Sequence, residues 1–156
     1  MTSPEPQLAR PDPLGEAWLL ACDNTTLDTV FRQSPAGPVP DGDTTGTLLA
    51  WPGTRVTKPL ARLVRALVWQ GKVLDRRAGI LRNKVTPLGL RLVKARLSVA
   101  NSWVDGRDCV LIDYSATSVL ARMVRDEIRL VGPGLYLGVV WLRRKRVGWF
   151  VIRSSG

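Results

Sequence analysis

Hydrophobic positions fall into two textures along the chain. Between residues 14 and 33 they recur at helical spacing, as Leu14, Trp18 and Ala21 and then Leu27, Val30 and Phe31. The pattern predicts two short helices broken at "DNTT", where Asp23 or Asn24 and the two threonines can cap the second one. From Thr44 onward the texture changes to short runs of Val, Ile, Leu and Trp. These are "TGTLLAW", "GKVLD", "GILRNKV", "LRLVKARLSVA", "RDCVLIDYS", "DEIRLV", "LYLGVVWL" and "RVGWFVI", each predicted as a strand. The separators "RRAG", "VDGR", "VGPG" and "RRKR" suit hairpin turns. Between the first two strands, "KPLARLVRALVW" predicts an amphipathic helix. It has Pro59 at its start and Leu60, Leu63, Val64, Leu67 and Val68 on one stripe. "SVLARMV" predicts a short helix between two later strands.

The chain therefore divides into a proline-rich disordered tail over 1–13, a helical segment and Pro/Gly linker over 14–43, and a β domain over 44–156. An antiparallel meander of about seven to eight strands must pair or cover its edges, and closing into a barrel removes them. The expected fold class is mainly β: an antiparallel lipocalin-like (calycin-like) β-barrel with N-terminal and lid helices. A barrel of about eight strands can hold one small ligand.

Composition narrows the chemistry. The chain of 156 residues has no histidine, and its two cysteines, Cys22 and Cys109, lie far apart. That removes the commonest general base and the commonest transition-metal ligand, so no metal and no cofactor is expected. Two isolated cysteines fit a reducing compartment, and the expected location is cytoplasmic. "LLAC" at Leu19–Cys22 resembles a lipoprotein cleavage box, but Glu16 interrupts the apolar segment, so a helix face is the better reading. The longest uncharged apolar run, "LYLGVVWL", falls well short of the roughly 20 residues that span a bilayer.

The net charge is +10, with 23 Lys and Arg against 13 Asp and Glu. Such a balance favours acidic partners, although an arginine-rich, GC-biased bacterial genome also supplies arginine at exposed positions. "LRRKRVGWF" sets Arg143, Arg144, Lys145 and Arg146 near Trp149. A basic turn alone is only the electrostatic part of a nucleic-acid footprint, and nucleic acid is not favoured as a partner. A weak contact of this turn and Trp141 or Trp149 with an anionic membrane stays open, as does a homodimer.

The order of landmarks resembles the GXWXG family and the domain of unknown function often fused behind it. The lead-in "VFRQSP" precedes "GDTTG" at Gly42–Gly46, and "WQGKVL" follows at Trp69–Leu74. Asn83 stands in the next strand. "DYS" lies at Asp113–Ser115, "DEIRLV" at Asp126–Val131 and "YLG" at Tyr136–Gly138. The likeness covers roughly residues 30–152. Thr44 stands where the family carries its name-giving tryptophan, and the nearby histidine of the pattern is absent. The resemblance implies a lipocalin-type barrel with a pocket and no settled activity.

Candidate site residues follow from strand alternation. In "RDEIRLV", Asp126, Ile128 and Leu130 share one face, and Glu127, Arg129 and Val131 the other. In "RDCVLIDY", Arg107, Cys109, Leu111 and Asp113 share a face. A charge inside a small barrel must be paired or must meet a ligand, which points to Asp113 with Arg129, or Glu127 with Arg129; the solvated outer face is the alternative. Trp69 and Lys72 could grip an anionic group at the cavity mouth, although a tryptophan at a helix end is more often core. The candidate ligand-binding set is Trp51, Trp69, Lys72, Asn83, Asp113, Arg129, Tyr136 and Trp141. Asp113, Tyr114 and Glu127 are candidates for acid–base work.

The expected function is binding of a hydrophobic small molecule, lipid or polyketide-like, in the barrel cavity. The alternative is a cofactor-independent cyclase or isomerase that folds such a substrate for ring formation.

Overall fold

A computed structural model describes residues 14–40, 42–50, 72–75, 80–83, 94–113 and 121–154. The proline-rich tail, the helix expected after Pro59, Trp51, Trp69 and Tyr114 lie outside the described residues.

Two helices open the described chain, as the spacing predicts. α1 spans Glu16–Ala21 and α2 spans Asn24–Gln33. The break between them is set by Asp23, whose carboxylate accepts from the backbone N–H of Thr26 at 2.7 Å and so caps α2. α2 ends at Ser34, whose hydroxyl donates back to the Val30 carbonyl at 2.7 Å, just before Pro35.

Eight strands follow. They are β1 (Gly42–Ala50), β2 (Lys72–Asp75), β3 (Ile80–Asn83), β4 (Lys94–Asn101), β5 (Asp108–Asp113), β6 (Val124–Gly132), β7 (Leu135–Leu142) and β8 (Lys145–Ser154). Each predicted strand run overlaps one of them. A short 3₁₀ turn, Ala121–Met123, stands where "SVLARMV" predicts a helix. Every strand pairs antiparallel with its neighbour in sequence, and β8 also pairs with β1, so the ring of pairings closes. The mainly β, antiparallel expectation is thus met. β1 begins at Gly42, two residues before the expected domain boundary.

Alternation along β4–β8 separates two cores. Leu97, Val110, Ile112, Val124, Ile128, Tyr136, Val140, Val147, Phe150 and Ile152 form one cluster. It draws on all five of these strands, which identifies it as the concave inner face. Gly138 is part of this arrangement, because the Phe150 ring lies directly over it and leaves no room for a Cβ. The second cluster joins Leu19, Leu27, Val30 and Phe31 of the helices to Leu135, Leu137 and Val139 of β7 and Trp149 and Val151 of β8. This is the outer face. It explains why "LYLGVVWL" is apolar on both sides: the barrel lies behind one face and α1 and α2 cover the other. Each of these fully buried large side chains contributes roughly 1.5–3 kcal/mol by leaving water.

The linker after α2 is irregular but tied down. Pro35 O accepts from Leu130 N at 3.0 Å, and Pro38 O accepts from the Tyr136 hydroxyl at 2.8 Å. Gly37, at φ +72°, passes so close to Leu130 that a side chain would collide with it. Val39 packs against the inner cluster. The linker therefore covers the barrel end beside the β6–β7 turn.

Candidate functional site

Register decides which charged residues face which way. Leu111 stands opposite Glu127 and Asp113 opposite Arg125, while Val110 stands opposite Ile128. Val110 and Ile128 belong to the inner cluster. Directly paired residues share a face, so Asp113, Arg125, Glu127 and Arg129 all lie on the outer face. The expectation that Asp113 and Arg129 orient a ligand inside the barrel is corrected on this ground.

Arg129 is fully buried, with 0% exposure, and all five of its N–H donors are used. Nε donates to Asp108 O at 3.0 Å. Nη1 donates to Phe31 O at 3.0 Å and to Asp105 Oδ2 at 2.8 Å. Nη2 donates to Asp105 Oδ1 at 2.7 Å and to Arg107 O at 3.1 Å. A planar fork with five donors is the side chain that can satisfy such a set. The guanidinium also lies 4.6 Å from the centre of the Phe31 ring. With every donor committed, none is left for Asp113 or a ligand. Arg129 instead ties α2, the β4–β5 loop and the start of β5 to β6. It holds the Asp105 carboxyl down at about 2, first through its hydrogen bonds, against the opposing effect of burial.

Glu127 does parallel work two residues earlier. It accepts from Ser102 Oγ at 2.5 Å, from Trp103 N at 2.9 Å and from Arg125 Nε at 2.7 Å. Those bonds fasten the other side of the same loop, so Glu127 is a structural anchor rather than an acid–base group in a pocket. Cys109 is buried nearby, and burial, then the Glu127 charge, pushes its thiol up to about 12, leaving it inert.

The clamped loop presents Trp103. Two guanidinium groups lie over its ring, Arg125 at 4.4 Å and Arg144 at 4.3 Å from the ring centre. The Trp141 ring meets it edge-on at 5.7 Å. Trp141 therefore belongs to an outer aromatic–basic cluster and not to the inner face where it was expected to meet a ligand. Trp103 and Asp105 escaped the sequence reading because "SWVDGR" looks like an ordinary turn; only long-range packing shows what fastens it.

Two expectations concern the inner face. Tyr136 faces inward, its hydroxyl donating to Pro38 O. Lys72 and Asn83 stand opposite each other on β2 and β3. Among the described side chains, an acid that shares the inner face is Asp126. It alternates with Val124 and Ile128, stands opposite Val140, and is fully buried. It was not among the candidates, although its signal was present in the shared parity with Ile128 and Leu130.

The chain is similar to a solved structure, "Crystal structure of protein from Thermomonospora curvata". The match has a TM-score of 0.61 at 17% identity and covers 90% of this chain and 95% of that one. At this identity the likeness speaks to fold alone. No family model matches the chain, and no curated protein does. Among the described residues no helix is long and apolar enough to cross a membrane, and no group of three or more His, Cys, Asp or Glu could hold a metal ion.

Proposed function

We propose that the protein binds a hydrophobic small molecule, lipid or polyketide-like, within a lipocalin-like barrel of the GXWXG type. The observation that carries this reading is the inner face itself: ten buried apolar or aromatic side chains from five strands, with a fully buried carboxylate, Asp126, among them. An apolar lining with a few placed polar groups suits enclosure of a small molecule, the polar group setting its orientation. Asp126 then receives a hydroxyl, amide or cationic group of the ligand. The linker covers the end beside the β6–β7 turn.

The cyclase or isomerase alternative needs acid and base side by side. Tyr136 stands opposite Leu130, four residues along β6 from Asp126. At a rise of about 3.4 Å per residue, that places them roughly 13 Å apart along the sheet. Binding is accordingly the reading adopted.

Native mass spectrometry of the purified protein tests it, together with titration of the neutral apolar dye N-phenyl-1-naphthylamine. A retained apolar molecule or saturable dye uptake is expected, with Asp126→Asn changing affinity for hydroxylated ligands but not for the dye. Absence of both retained ligand and saturable uptake overturns the reading.

A further inference from the structure

The turn between β7 and β8 is built against local preference. Arg143 and Arg144 take φ of 47° and 70°. Two-residue hairpin turns of this hand favour Asn-Gly, because residues with a larger side chain are disfavoured at positive φ. Turn chemistry therefore does not account for two arginines here. Their side-chain positions give a better account. Arg144 stacks on Trp103, and Arg143 Nε donates to Met123 Sδ at 2.9 Å. Among the described residues Arg144 has no hydrogen-bond or ion-pair partner, and Arg143, Arg144 and Lys145 are all exposed. The guanidinium of Arg144 is thus held over the Trp103 ring at the protein surface.

Among the described residues, the nearby acids Glu127 and Asp28 are already committed. Glu127 is buried and bonded to Arg125, Ser102 and Trp103. Asp28 takes Arg32 and Arg146. An excess of positive charge remains at Arg143, Arg144 and Lys145, beside the partly exposed edge of Trp103 and the half-buried Trp141.

We infer that this patch docks the protein on an anionic lipid surface. Charge complementarity selects a partner rich in phosphate. A single nucleic-acid strand needs open aromatic faces on which its bases stack, and the Trp103 ring already carries two guanidinium groups within 4.4 Å of its centre. A membrane interface makes no such demand: it takes indole edges at the headgroup level and basic side chains beside phosphates. The inference does not depend on what the inner face binds.

Vesicle co-sedimentation tests it. The wild-type protein should bind vesicles of phosphatidylcholine mixed with phosphatidylglycerol, not phosphatidylcholine alone, and salt should release it as the charges are screened. The variant Arg143→Asn/Arg144→Gly installs the favoured turn, so the hairpin keeps its shape while losing both arginines. At about 1 kcal/mol per basic side chain near the surface, its partitioning should fall roughly thirtyfold. Arg32→Ser/Arg153→Ser removes the same charge from exposed positions elsewhere and should leave most of the binding intact. No binding of the wild type to anionic vesicles overturns the inference, as does an equal loss in the control variant. Tighter binding of a single-stranded oligonucleotide than of anionic vesicles at the same salt, lost in the turn variant, overturns it in favour of nucleic acid.

Discussion

Arg129 shows how far one side chain can organise a fold. Its carboxylate partner comes from a loop 24 residues earlier in the chain, and one carbonyl partner comes from α2, 98 residues away. Replacing it by Met strands the Asp105 charge and three backbone carbonyls, and breaking a buried pair from one side costs about 3–5 kcal/mol. Lysine would not rescue the loss, since a point charge cannot fill five directions. Urea unfolding should show this loss for Arg129→Met. The double variant with Asp105→Asn should be less unstable than the sum of the singles, whereas Asp113→Asn should add independently. Acid titration of the wild type provides a second arm. The folded Asp105 carboxyl is held below its ordinary value of 3.8, at about 2. Its stabilisation is therefore present above 3.8 and lost as pH falls through that range. Asp105→Asn should flatten that acid limb; an unchanged limb would show that Asp105 is not the linked group. None of this was legible from sequence. "RDEIRLV" displays its two faces plainly, but parity does not say which face is inside, and nothing local pairs Arg129 with Asp105 rather than Asp113.

Elements were far more legible. All eight strand segments and both N-terminal helices stand where alternation, helical spacing and the Asp23 cap put them, because these signals act over a few residues. The β7–β8 turn was legible as a turn, though not for the right residues: "RRKR" is basic and short, yet Arg143 and Arg144 adopt a geometry meant for Asn and Gly. A left-handed non-glycine conformation costs roughly 1–2 kcal/mol per residue, while an exposed cation–π contact returns about 0.5–1 kcal/mol. Arg143→Asn/Arg144→Gly should therefore raise stability by about 1 kcal/mol or more, even as Arg144 leaves Trp103. Thermal unfolding measures the difference. A clear loss of stability would mean that the Arg144–Trp103 stack carries more of the loop than its geometry indicates.

At the scale of the molecule, the helices and the barrel are one cooperative body. β7 and β8 present one face to the inner core and the other to α1 and α2, so neither core can open without exposing the back of the other. The connections are varied. Phe31 and Trp149 meet edge to face at 5.9 Å. Arg129 bonds to the end of α2, and Asp28 of α2 pairs with Arg146 of β8. Helices of 6 and 10 residues would be marginal alone and gain their stability from this packing. Unfolding followed by far-ultraviolet circular dichroism and by tryptophan fluorescence should then give one coincident transition. Phe31→Ala, which empties the centre of the outer core, should cost about 3–5 kcal/mol and move both signals together. If the helices were only laid on a self-sufficient barrel, the variant would split the transition, with the tryptophan signal of Trp149 changing before the sheet is lost. Coincidence would instead mean that the outer core helps to hold the inner face in shape, since Trp149 and Phe150 are neighbours on one strand, one packed outward on Phe31 and one inward over Gly138.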